Sequence, residues 1–225
     1  MELMLDTANL AEIERGLATY PISGVTSNPT IIKAEGGVDF FVHMRKIREL
    51  IGESRSLHVQ VVSTDCTSIM AEAQKIVSLL GPSTFVKIPV TQEGLEAIRI
   101  LSKKGVNITA TAIYTTLQGI LAMQSKTRYL AVYYNRMLNI DIDAAKVIKE
   151  LSSLLWANST SCQVLAASFK NINEITTAYA SGASCCTVPY SLLCTGLSMP
   201  SITKAVHDFT TNWEEVYGKR TLLDL

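Results

Sequence analysis

Short apolar runs alternate with amphipathic stretches along the whole chain. The apolar runs are ELMLD at residues 2–6, GVTSNPT at 24–30, LHVQVV at 57–62, TFVKIPV at 84–90, GVNITATAIY at 105–114, YLAVYYN at 129–135, CQVLAAS at 162–168 and ASCCTVPY at 183–190. Each has the length of a buried strand and is bounded by turn or cap residues, Asn28-Pro29 breaking the second. Between them, apolar residues recur at helical spacing. Leu10, Ile13 and Leu17 share one face; Phe40, Met44, Ile47 and Ile51 follow a cap at Asp39. Ile69, Ala73, Ile76 and Leu80 stop at Gly81-Pro82, and Leu95, Ile98 and Leu101 follow Thr91. TLQGILAM gives a short helix, and Val147, Leu151 and Leu154 mark another; the next ends at Gly182. A last helix, about 199–217, opens near Pro200 and carries Val206, Phe209, Trp213 and Val216.

Eight strand-then-helix units within 225 residues, without a low-complexity insert, predict a parallel sheet covered by helices. Eight such units close into a single (β/α)8 barrel domain over 1–225, a TIM barrel of the α/β class with an additional C-terminal helix. A doubly wound open sheet is the alternative, but the glycine-rich phosphate turn expected after its first strand is missing. Composition adds exclusions. With 20 basic and 20 acidic residues interspersed, nothing resembles a nucleic-acid footprint. No run reaches the eighteen or so apolar residues of a membrane span, and the acidic opening MELMLDTANL lacks the positive region of a secretory signal. Five cysteines, mostly in apolar strands, predict reduced thiols and a cytoplasmic protein. No Cys-x-x-Cys pair exists and three scattered histidines lack ligand spacing, so no metal is expected.

The informative polar residues sit at the strand ends. Lys87 interrupts an apolar strand, and lysine is almost never fully buried unless paired or used. Desolvation would lower its pKa and make the amine a nucleophile toward a carbonyl; a head snorkelling from a frayed strand end is the plainer alternative. Read in order, the strand ends give Asp6, Thr26, Gln60, Lys87, Thr111, Tyr133 and Ser168. Period-two alternation turns Val59 and Val61, Val86 and Ile88, Ala110 and Ala112, and Ala167 and Phe169 toward the helices, leaving the polar residue between each pair on the barrel axis. Singly, each has an ordinary explanation as a cap, a turn residue or a core amide. Together they place an amine, a carboxylate, a phenol, an amide and three hydroxyls at one mouth, which predicts an active site.

LDTAN at 5–9, GVTSNPTII at 24–32, VKIPVTQEGL at 86–95, YYNR at 133–136 and VLAASFK at 164–170 are similar, in sequence and spacing, to the small transaldolases and within them to the fructose-6-phosphate aldolase subgroup. The resemblance implies a class I aldol reaction with no cofactor, because a lysine iminium serves as electron sink. Lys87 matches the Schiff-base lysine. Asp6 and Asn28 match residues that hold substrate hydroxyls, with Thr26 beside them. Gln60 and Thr111 match a water-holding pair, Tyr133 the acid/base group, and Arg136 with Ser168 the phosphate site, where Lys170 is a weaker addition. The implied partners are sugar phosphates and dihydroxyacetone, and the implied assembly is a homodecamer of two pentamers with the C-terminal helix packing on a neighbour.

Gln60 and Tyr133 are of the aldolase type; transaldolases carry glutamate and phenylalanine there. A neutral amide and a phenol suit protonation and release of the donor enamine. The expected reaction is reversible cleavage of fructose 6-phosphate to dihydroxyacetone and glyceraldehyde 3-phosphate. The alternatives are transfer of dihydroxyacetone to erythrose 4-phosphate, a deoxyribose-phosphate type of aldolase, and a barrel that only binds sugar phosphates. Met137, Leu138, Asn139 and Ile140 depart from the family pattern after YYNR, beside the site.

Overall fold

The computed structural model describes residues 1–225, which form two compact units, Met1–Tyr190 and Ser191–Leu225. The first begins with β1 (Glu2–Asp6), α1 (Leu10–Thr19), β2 (Ile22–Thr26), α2 (Pro29–Ala34), α3 (Phe40–Ile51), β3 (Ser56–Gln60) and α4 (Cys66–Leu80). It continues with β4 (Phe85–Pro89), α5 (Gln92–Lys103), β5 (Ile108–Ile113), α6 (Thr116–Gln124), β6 (Tyr129–Tyr133), α7 (Tyr134–Leu138), α8 (Ala144–Ala157), β7 (Gln163–Ala167), α9 (Ile172–Ala180) and β8 (Cys185–Val188). The eight strands close in sequence order, and β1 pairs with β8 in parallel. This is the expected (β/α)8 barrel.

The caps fall where short polar side chains precede apolar stripes. Asp39 accepts from Val42 N, Asp65 from Ser68 N, Thr91 from Gly94 N and Asp143 from Lys146 N. Ile69, Ala73, Ile76 and Leu80 are all buried on α4, and Ile98 and Leu101 on α5. On α8 the burial falls on Leu151 and Leu155 rather than Leu154. One glycine is required by close approach: a Cβ on Gly94 would lie 2.0 Å from the Pro89 carbonyl oxygen, so α5 sits against the end of the strand that carries Lys87.

Inside the barrel, Met4, Tyr129, Ala131, Leu165 and Cys185 pack together with Phe85 against them. They mark the inward parity of β1, β4, β6, β7 and β8 and form a floor beneath the C-terminal mouth. His58 completes that floor. It is fully buried, stacked on Phe85 at 4.8 Å between centroids, and its Nδ1 lies 2.8 Å from Thr109 Oγ1. Below, Tyr129 OH and Gln163 Nε2 both donate to the Glu2 carboxylate.

The second unit holds most of α10 (Tyr190–Leu197), all of α11 (Pro200–Tyr217) and a short turn of 3-10 helix at Leu222–Asp224. α11 opens with Pro200 in its first turn, matching the expected start. Trp213 packs on Tyr217 at 4.5 Å, and its indole N–H donates to the Arg220 carbonyl. Val206, Phe209 and Val216 are 59%, 71% and 69% exposed. No helix is long and apolar enough to cross a membrane.

Candidate active site

Lys87 reaches the mouth from the middle of β4. Gln60 on β3 is its register partner on one side and Thr109 on β5 on the other, so its amine emerges between their strands. The side chain is 3% exposed, and Nζ donates to the Ser27 carbonyl oxygen at 2.8 Å. That carbonyl is itself fixed, because Ser27 N donates to His58 O at 3.0 Å. Burial lowers the Lys87 pKa; the nearby Asp6 charge opposes the shift and Arg136 adds to it. The amine is thus kept closer to its nucleophilic form than a surface lysine.

Asp6, at the end of β1, is held by a hydroxyl chain. Thr26 Oγ1 donates to Asp6 Oδ1 at 2.6 Å, and Thr187 Oγ1 lies 2.7 Å from Thr26 Oγ1. A hydroxyl has one proton, so Thr26 giving its own to the carboxylate makes Thr187 the donor to Thr26. Burial raises the Asp6 pKa, against the pull of Lys87, the Thr26 bond and Arg136. Thr187, on β8 and 1% exposed, escapes sequence reading because nothing in CCTVP distinguishes it.

Tyr133 ends β6 and is 8% exposed, its hydroxyl accepting from Thr111 Oγ1 at 3.0 Å. Burial raises the phenol pKa, and the Thr111 bond and the Arg136 charge pull it back. Arg136 lies on α7, a five-residue helix that the strand-end reading does not anticipate; it brings the guanidinium to 4.8 Å from the Tyr133 ring centroid. Asn28 caps α2, its Oδ1 accepting from Thr30 N and Ile31 N, which leaves its amide Nδ2 as the donor for the site.

Ser168 enters the mouth by a different route from the one predicted. Leu165 shares the barrel interior, so the inward parity of β7 falls on Gln163, Leu165 and Ala167, and strand alternation alone would turn Ser168 outward. A left-handed backbone at Ser168, φ +65°, redirects the chain just past the strand. Asn135 N then donates to Ser168 O at 3.2 Å and ties the two loops together.

Asp6, Asn28, Lys87, Tyr133, Arg136 and Ser168 converge on one cavity of about 210 Å3, with Lys170 on its wall. Thr26 and Thr111 support it through Asp6 and Tyr133. Gln60 instead lines a neighbouring, more apolar cavity of about 490 Å3 that shares Asn28, and its Oε1 makes no hydrogen bond to another residue. Of the nine predicted site residues, Gln60 is the one that lines the second space without lining the first. A buried amine of lowered pKa, a carboxylate, a buried phenol and a guanidinium in one cavity can form an imine and shuttle its protons.

A model of the transaldolase/fructose-6-phosphate aldolase family matches residues 3–220. The chain belongs to this family. It is 46% identical over 222 residues to a protein of Streptococcus pneumoniae named probable fructose-6-phosphate aldolase, the match covering 99% of this chain and all of that one. Membership of the transaldolase/fructose-6-phosphate aldolase family agrees with the resemblance drawn from the five sequence signatures, which span the matched residues from the first strand to the seventh.

Proposed function

We propose that this enzyme is a Schiff-base aldolase that reversibly cleaves fructose 6-phosphate to dihydroxyacetone and glyceraldehyde 3-phosphate. The observation that carries the reading is the buried Lys87 amine, 2.8 Å from the Ser27 carbonyl, in a cavity shared with Asp6, Tyr133 and Arg136. Neutral Lys87 attacks the C2 carbonyl, and loss of water leaves an iminium. The hydroxyl on C4 is deprotonated as the C3–C4 bond breaks, and the electron pair passes into the iminium to give an enamine. Tyr133, buried and bonded to Thr111, handles protons at the reacting carbons and at the imine. Protonation of the enamine and hydrolysis release dihydroxyacetone and restore Lys87. Asp6 and the Asn28 amide hold the sugar hydroxyls. Arg136 and Ser168 hold the phosphate, where a planar guanidinium and a hydroxyl suit a terminal dianion.

Gln60 and Tyr133 favour release of the three-carbon product over its storage for a second sugar. Glyceraldehyde 3-phosphate release from fructose 6-phosphate, measured with and without erythrose 4-phosphate, tests this. Release without the acceptor is expected; release only with it would make the enzyme a transaldolase. We also propose a cytoplasmic homodecamer of two pentamers, in which a neighbouring subunit covers the apolar face of α11, where Phe209 is 71% exposed. Light scattering that gives a monomer mass would overturn that assembly.

A further inference from the structure

Glu174 is a carboxylate with no place in the chemistry above. It is 5% exposed, near the start of α9, and the protein's sole ion pair lies elsewhere, between Lys204 and Asp208. A buried carboxylate without a cation is costly unless its lone pairs are filled by hydrogen-bond donors. Three N–H groups fill them. Oε1 accepts from Asn135 Nδ2 at 2.8 Å and from Asn171 Nδ2 at 3.1 Å, and Oε2 accepts from the Lys170 backbone N–H at 2.7 Å. The position in the first turn of α9 also sets the charge against the favourable end of the helix dipole.

Two of those donors belong to the segments that carry the proposed phosphate ligands. Asn135 is the residue before Arg136 on α7. Lys170 is two residues beyond Ser168, whose left-handed backbone at φ +65° is a conformation that the surroundings must hold in place. The carboxylate therefore ties the loop after β6 to the loop after β7 from behind, and it is absent from the lining of the cavity between them. An anion beside a phosphate site would repel the substrate if it faced it; here its charge is turned away and absorbed by amides. We infer that Glu174 is a positioning residue: it sets the separation of Arg136 and Ser168 and thereby the enzyme's preference for phosphorylated over unphosphorylated aldehydes.

This rests on the reading of Arg136 and Ser168 as the phosphate site, so the test carries its own control. Aldol addition of dihydroxyacetone to glyceraldehyde 3-phosphate and to glyceraldehyde is measured for the parent, Glu174→Gln, Asn135→Ala and Arg136→Ala, and the ratio of the two kcat/KM values is compared. Glu174→Gln puts an amide N–H2 against a donor, and Asn135→Ala cuts the tie to α7 while leaving the α9 cap intact. Misplacing a binding group by a fraction of an ångström to 1 Å costs roughly 10- to 100-fold. The ratio is expected to fall about tenfold in both variants, mainly through KM for the phosphorylated aldehyde. If both variants lose the two activities in equal proportion, Glu174 only stabilises α9 and the inference is overturned. Should Glu174→Gln fail to fold, Asn135→Ala decides by the same criterion. An unchanged ratio in Arg136→Ala would overturn the phosphate reading itself, and this inference with it; a collapsed ratio there with unchanged ratios in the other two would overturn the inference alone.

Discussion

The guanidinium of Arg136 lies over the ring of Tyr133, 4.8 Å from its centroid, so the proposed phosphate ligand also touches the proposed proton-transfer group. Its charge lowers the phenol pKa against the rise caused by burial. Substrate phosphate bound to Arg136 would offset that charge, which makes phosphate binding and proton transfer interdependent.

Arg136→Met is accordingly expected to slow even unphosphorylated substrates. Loss of a cation from an aromatic face is worth on the order of 1 kcal/mol, so turnover of dihydroxyacetone with glyceraldehyde should fall several-fold. Steady-state rates with that pair check it. A rate equal to the parent's would mean the contact has no bearing on Tyr133.

Thr111 and Tyr133 should behave as one unit. The Thr111 hydroxyl donates to the phenol at 3.0 Å and lowers its pKa. Tyr133→Phe is expected to cost roughly 10²–10⁴ in kcat, the range of a general acid/base group. Thr111→Val should cost less and move the alkaline limb of the kcat profile upward. Adding Thr111→Val to Tyr133→Phe should then cost almost nothing further, and a double-mutant cycle reads this directly. Additive losses would separate the two residues.

Lys87 and Asp6 are coupled in a direction that can be measured. Burial lowers the Lys87 pKa from its usual value near 10.5, and the Asp6 charge is what holds it up. The rate of borohydride trapping with dihydroxyacetone should therefore inflect below 10.5. In Asp6→Asn the inflection should move lower still, because the favourable charge is gone, while turnover falls with the lost hydroxyl anchor. An inflection that rose or stayed in place would rule out the Asp6–Lys87 interaction.

The barrel was legible because eight apolar runs and their caps give the same answer at every level, and period two puts Thr26, Lys87, Thr111 and Tyr133 at one mouth. What escaped the sequence did so for physical reasons. Ser27 contributes a backbone carbonyl, which no side-chain pattern reveals. Ser168 is named by the strand-end reading, but the left-handed turn that brings it in, a conformation serine rarely adopts, is not. Arg136 is found through the YYNR signature alone, because its helix of five residues is too short to show a period. Glu174 looks like any acidic first-turn residue until Asn135, distant in sequence, is seen to donate to it. The floor histidine has no motif at all.

That histidine is expected to contribute to the acid limb of stability. Burial first, then the Lys87 and Arg48 charges, push the His58 pKa well below 6.5, and its Nε2 has no hydrogen-bond partner. Below about pH 6.5 the unfolded chain takes up a proton on this imidazole that the folded chain does not. Stability therefore falls as pH drops from 6.5 toward the depressed value, by about 1.4 kcal/mol per pH unit. Asp6 works the other way. Its folded pKa is raised, so between 3.8 and that raised value the folded state holds the extra proton and gains stability as pH falls. Comparing a variant with the parent across pH isolates the histidine. Replacing His58 alone would strand the Thr109 hydroxyl 2.8 Å from Nδ1, so the substitution to make is His58→Phe with Thr109→Val, which removes both partners. The double variant keeps a ring to stack on Phe85 and should be close to the parent at pH 8. It should become the more stable of the two below pH 6.5, the gap widening by about 1.4 kcal/mol per pH unit. Urea melts at pH 8, 6 and 5 measure it. A gap independent of pH would mean that His58 is protonated equally in the folded and unfolded chains, and that the barrel floor tolerates a charge beneath Lys87.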